Sequence, residues 1–172
     1  TDAHLDVDIA NNLITLNGGL AGQDETAVTV KWNGPSRIRL ASNDITLNGN
    51  NDNGSKSAYS VTHQSVTDEM LLSIINSRVT STDDASVGLT VQTFGESDIL
   101  IDGNQFTFGG AASTGMQFNL ASETELFSEN NQLRFDADGG TGMLFTVVNQ
   151  PSTFTINNNQ IGLFDDGALL ER

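Results

Sequence analysis

The feature that most constrains this chain is a phrase that returns. "DGNQFTFGG" at 102–110 comes back as "ENNQLRFDADGG" at 129–140 and as "NNNQIGLFDDG" at 157–167. Alignment on the shared asparagine gives the anchors Asn12, Asn43, Ser77, Asn104, Asn131 and Asn159, spaced 31, 34, 27, 27 and 28 residues apart. Two residues after each anchor stand Ile14, Ile45, Val79, Phe106, Leu133 and Ile161; four after it stand Leu16, Leu47, Ser81, Phe108, Phe135 and Leu163. Three before it are Ile9, Leu40, Ile74, Ile101, Ser128 and Ile156; five before it are Val7, Ile38, Leu72, Ile99, Leu126 and Phe154. Only Ser81 and Ser128 break these apolar columns, which alternate with mostly polar neighbours. A period of two is that of half-buried strands.

A third apolar segment follows a loop of variable length. It opens on a small residue in every repeat: Ala27, Ala58, Ser86, Gly115, Gly142 and Gly167. Its inward columns then read Val28, Tyr59, Val87, Met116, Met143, Ala168, and after them Val30, Val61, Leu89, Phe118, Phe145, Leu170. The last is Trp32, His63, Val91, Leu120 and Val147. A short unit with one face to hide cannot bury it alone and must stack on its neighbours. The pattern resembles the right-handed parallel β-helix over essentially the whole chain. The expectation is a single all-β domain, 1–172, of about six coils of 27–34 residues with three short strands per coil. Within that fold it is similar to the passenger and adhesin solenoids of bacterial secreted proteins and to repeat-rich bacterial surface proteins.

The anchors acquire a purpose in such a stack. Asparagine tolerates backbone angles that most residues resist, so the reading places it at the bend between two strands. One coil apart, each amide can donate to one neighbour and accept from the other. Asn12, Asn43, Asn104, Asn131 and Asn159 are therefore expected to form a structural ladder, interrupted at Ser77. One stretch reads differently: "SVTDEMLLSIINSRV" (65–79) opens like a capped helix, and its spacing predicts a helical turn near 66–71.

Charge narrows the partners. The 172 residues carry 22 acidic and 7 basic side chains, a formal charge of −15, dispersed without an acidic block. That field disfavours nucleic acid and anionic lipid as partners. No apolar run is long enough for a membrane-spanning helix, so no membrane insertion is expected. The chain has no cysteine, which excludes a disulfide framework and a thiolate metal site. It opens on Thr1 and enters the repeat at once. This suggests a segment of a longer exported protein whose ends associate with other copies.

Few residues suggest chemistry. His4 and His63 are far apart, and His63 falls in an inward column, as a structural histidine would. Asp136 and Asp138 share a loop with glycines, Asp165 and Asp166 hold the matching loop one coil on, and Asp83–Asp84 hold it two coils earlier. Aligned carboxylates with backbone carbonyls suit calcium, the one cofactor these residues bring forward, although no calcium-loop spacing repeats and solvated acidic turns have the same look. The loop "NGNNDNGSKS" (48–57) is a polar excursion of the kind that carries recognition, and its Asn53-Gly54-Ser55 has the form of a glycosylation acceptor. Thr15, Thr46, Thr80 and Thr107 form an outward rank as ice-binding solenoids do, but the companion column of Leu13, Asp44, Arg78 and Gln105 spoils the match. Another outward column runs Asp8, Arg39, Ser73, Leu100, Phe127 and Thr155, with Asp6 and Arg37 beside it. There Arg37 and Arg39 are expected to pair with Asp6 and Asp8 one coil away.

No catalytic residue emerges. The expectation is a non-catalytic structural or adhesive module of a secreted or cell-surface protein, extracellular in location, with a glycan or another surface protein as partner. The alternative is a carbohydrate-active enzyme, of polysaccharide-lyase or glycosidase type, or a glycan-binding domain, since such proteins use this fold.

Overall fold

In the computed structural model the described residues are 4–17, 23–49, 54–148 and 151–163. Seventeen strands and no helix form among them. The first coil contains β1 (Leu5–Ala10), β2 (Leu13–Asn17) and β3 (Glu25–Trp32); the second β4 (Ser36–Ala41), β5 (Asp44–Asn48) and β6 (Lys56–His63). The third has β7 (Met70–Ile75), β8 (Arg78–Ser81) and β9 (Val87–Thr93), and the fourth β10 (Ser97–Asp102), β11 (Gln105–Phe108) and β12 (Thr114–Leu120). Then follow β13 (Thr124–Glu129), β14 (Gln132–Phe135) and β15 (Thr141–Val147), and finally β16 (Ser152–Asn157) and β17 (Gln160–Leu163). Every pairing is parallel and joins equivalent strands of successive coils, giving sheets β1-β4-β7-β10-β13-β16, β2-β5-β8-β11-β14-β17 and β3-β6-β9-β12-β15. The chain is a β-solenoid of about five turns with three strands per coil. The third strand expected of a sixth coil lies outside the described residues.

Parallel stacking in register places like on like. Ile38, Leu72, Ile99 and Leu126 are successive partners in the first sheet, and Ile45, Val79, Phe106 and Leu133 in the second. All eight are buried. Phe108 stacks on Phe135 with ring centroids 5.2 Å apart, and Phe118 on Phe145 at 5.0 Å; each such stack adds about 1 kcal/mol beyond the area it buries. The two serines that break the columns are satisfied inside. The Ser81 hydroxyl lies 2.7 Å from that of Ser86, and Ser128 Oγ accepts from Asn131 Nδ2 at 3.1 Å.

The third sheet corrects one alignment. Gly88, not Ser86, stands beside Ala58 and Gly115, because Tyr59 pairs with Leu89, Leu89 with Met116, and Val61 with Val91. The inward columns of the third coil are thus Leu89, Val91 and Thr93, two residues later than Val87, Leu89 and Val91. Close packing sets the register: a Cβ on Gly88 would lie 2.5 Å from the Gly115 carbonyl and 2.7 Å from the Phe106 ring.

The predicted helical turn does not form. Residues 64–69 are a bend in which Ser65 Oγ donates to Asp68 Oδ2 at 2.5 Å and accepts from the Thr67 and Asp68 backbone. The cap is there, but Met70 must already pair with Ser36 and Ser97, so no helix can follow it.

Candidate functional site

The anchor asparagines form the expected ladder. Asn104 is fully buried; its Nδ2 donates to Asn131 Oδ1 at 2.9 Å in the next coil and to the Ile74 carbonyl at 2.9 Å in the previous one. Its Oδ1 accepts the Ser77 backbone N–H at 2.9 Å. Asn131 repeats the arrangement in full, Asn12 keeps the forward bond, to Asn43, and Asn43 and Asn159 keep the backward one, to the Ile9 and Ser128 carbonyls. The unusual backbone angles belong to the residue before the anchor: Asn11, Ser42, Asn76, Gly103, Asn130 and Asn158 have φ between 51° and 67°. That residue makes the turn, and the anchor side chain is then directed inward to bond the stack.

Ser77 shortens one rung, and Tyr59 stands beside it. The Tyr59 ring is fully buried, with Ser77 and Asn43 next to its hydroxyl. Burial pushes the phenol above its ordinary value, and these two neighbours pull it back in part. His63 is structural in placement: buried, with Nε2 3.1 Å from the Gly34 carbonyl.

The acidic loops do not converge among the described residues. Asp136 is held at 2.6 Å by Arg134 Nε, and Asp84 caps the Ala111 N–H at 2.7 Å. The Asp138 carbonyl is occupied by Ala112 N–H at 2.8 Å. No group of three or more His, Asp or Glu side chains comes together among the described residues. Asp165, Asp166 and Asn53 lie outside them.

Two constellations escape a reading by motif. The first is on the outer face of the first sheet. Register aligns Arg37, Leu71, Asp98 and Glu125 in one outward column and Arg39, Ser73, Leu100 and Phe127 in the next. Between them runs a shallow open groove of about 290 Å³ lined by Arg37, Leu71, Asp98, Leu100, Glu125 and Phe127. Leu100 and Phe127 are each 41% exposed, an apolar strip with carboxylates on one side and a guanidinium at one end. Of the expected arginine pairs only one forms: Arg39 Nη1 donates to Asp8 Oδ1 at 2.9 Å and Oδ2 at 3.1 Å. Arg37 has no ion pair among the described residues and faces the groove instead. The columns could be listed from the repeat, but their joint shape needed the register of four strands.

The second lies in the corner between the second and third sheets. Lys56, read as part of a polar loop, is the first residue of β6 and is buried. Its Nζ lies 3.0 Å from Asp83 Oδ2, with side-chain exposures of 1% and 8%. Alternation from Tyr59 and Val61 would turn Lys56 outward, and the turn of the next coil reaches over it. A lysine this deep needs a partner, and that is the only signal sequence could have offered.

Neither a protein-family model, nor a curated protein, nor a solved structure matches the chain.

Proposed function

We propose that the chain is a non-catalytic adhesive module of a secreted or cell-surface protein, a rigid rod that presents the groove on its first sheet to a glycan. The observation that supports this is the Leu100–Phe127 strip flanked by Arg37, Asp98 and Glu125. An apolar platform covers the hydrophobic face of a sugar ring, and charged groups at its border bond the ring hydroxyls. At about 290 Å³ the groove is at the small end of ligand sites. It suits one or two sugar units along a chain, with affinity gained by repetition.

The second reading, a carbohydrate-active enzyme, draws support from Asp98 and Glu125, which are direct partners in the β10–β13 register. Paired carboxylates about 5 Å apart are the arrangement of retaining glycosidases. Both side chains are exposed on an open face, which favours binding over proton transfer.

A glycan array followed by titration with the best ligand tests the proposal. Phe127→Ala is expected to weaken binding at least about tenfold, or ~1.4 kcal/mol, with the fold intact by circular dichroism. Binding indifferent to Phe127→Ala, or no glycan bound at all, overturns it. New reducing ends from a polysaccharide, lost in Glu125→Gln, would establish the enzyme instead.

A further inference from the structure

We propose that Lys56 and Asp83 condense to an intramolecular isopeptide bond, a covalent staple between consecutive coils of a chain that has no cysteine. The pair is enclosed. Lys56 Nζ and Asp83 Oδ2 are 3.0 Å apart and both side chains are more than nine-tenths buried. The contact is one of ion-pair distance without hydrogen-bond alignment to Oδ2, and it holds the two reacting groups together in a site shielded from water. Asp83 is also fixed in place. Its column reads Gly49, Asp83, Gly110, and a Cβ on Gly49 would fall 1.5 Å from Asp83 Oδ1, while one on Gly110 would fall 1.9 Å from the Asp83 carbonyl oxygen. Bare glycine backbone thus lies against the carboxyl group on one side and against the Asp83 main chain on the other.

A third group completes the arrangement. Glu25 is the direct register partner of Lys56 in the β3–β6 pairing, so both side chains leave the same face of the sheet. Glu25 Oε2 is buried and has no hydrogen-bond partner. The Lys56–Asp83 pair thus has the Glu25 carboxylate at the neighbouring register position one coil back.

The chemistry balances without an oxidant or cofactor. Charge separation is costly in such a corner, and passing one proton from Nζ to Asp83 leaves an amine facing a carboxylic acid. The Nζ lone pair attacks Asp83 Cγ, the Nζ–Cγ bond forms, and a Cγ–O bond breaks. Glu25 takes the proton that Nζ sheds and returns it to the departing hydroxyl. Of the three ammonium protons, one stays on the amide nitrogen and two leave in the water. A neutral amide then replaces a buried ion pair.

Intact mass of the purified full chain decides it. The expected product is lighter than the sequence requires by one water, and its peptide map contains a branched peptide joining Lys56 to Asp83. Lys31 is the only other lysine, so amine labelling after denaturation should mark Lys31 and the N-terminus and leave Lys56 untouched. Asp83→Asn should still cross-link, now losing ammonia instead of water, an outcome that a purely structural pair cannot produce. Glu25→Gln should slow the loss of mass after refolding at least tenfold. Full mass with Lys56 labelled overturns the proposal, as does loss of water that maps to a succinimide at an Asp-Gly step. A Glu25→Gln rate equal to the parent's overturns the role given to Glu25.

Discussion

At the residue scale, Asn104 shows how much one side chain organises. It serves three backbone or side-chain partners in coils on both sides, and none can be reached by water. Asn104→Leu keeps the volume and strands those partners, so it should lower stability by about 3 kcal/mol in denaturant unfolding. An unchanged midpoint would show that the ladder is ornamental. Tyr59 gives a second check, through pH. Its phenol is held above its unfolded value of 10.0 by burial, so the folded state binds that proton more tightly. The stabilisation is fully present below pH 10.0 and is lost as pH rises from there through the folded value. The melting temperature should fall more steeply in that range for the parent than for Tyr59→Phe; parallel curves would contradict the burial. The sequence marked the anchor correctly and misplaced the strained backbone by one residue. In "NN" pairs such as Asn130–Asn131 either member satisfies the preference for left-handed angles. Gly103, directly before Asn104, was the one sign that the turn comes first.

At the scale of elements, legibility depended on what alternation can detect. Parity separates inward from outward residues, so the first two sheets could be read almost in full. A slip of two residues preserves parity, which is why the third coil could be aligned on Ser86 when the structure uses Gly88. Only the approach of Phe106 and the Gly115 carbonyl to Gly88 reveals the true register, and that is a fact about three strands at once. The bend at 64–69 failed for a related reason: the Ser65 cap is local, while the demand that Met70 rejoin its sheet is not. Both constellations were hidden in this way. Arg37, Asp98 and Phe127 meet across separate coils, and Lys56 is covered by a turn that follows it by a whole coil.

At the scale of the molecule, each coil touches mainly its neighbours, so stability is a sum along an axis. Leu40, Ile74 and Ile101 are fully buried, whereas Ile9 in the first coil is half-buried and Ile156 in the last is 47% exposed. Amide exchange should therefore be fastest in β1, β2, β16 and β17 and slowest in β7 to β11; uniform protection would mean a single cooperative block. The Asn ladder adds something that apolar stacking lacks, because its amide-to-amide bonds share one direction. Nδ2 of Asn12, Asn104 and Asn131 each donates to the anchor Oδ1 one coil on, while Nδ2 of Asn43, Asn104 and Asn131 donates back to a backbone carbonyl, and Ser77 interrupts the amide chain. The amide-to-amide bonds thus give the stack a polarity that runs from β1 toward β16. An anchor asparagine stacked on this ladder continues the hydrogen-bond chain only in the same polarity, coil after coil.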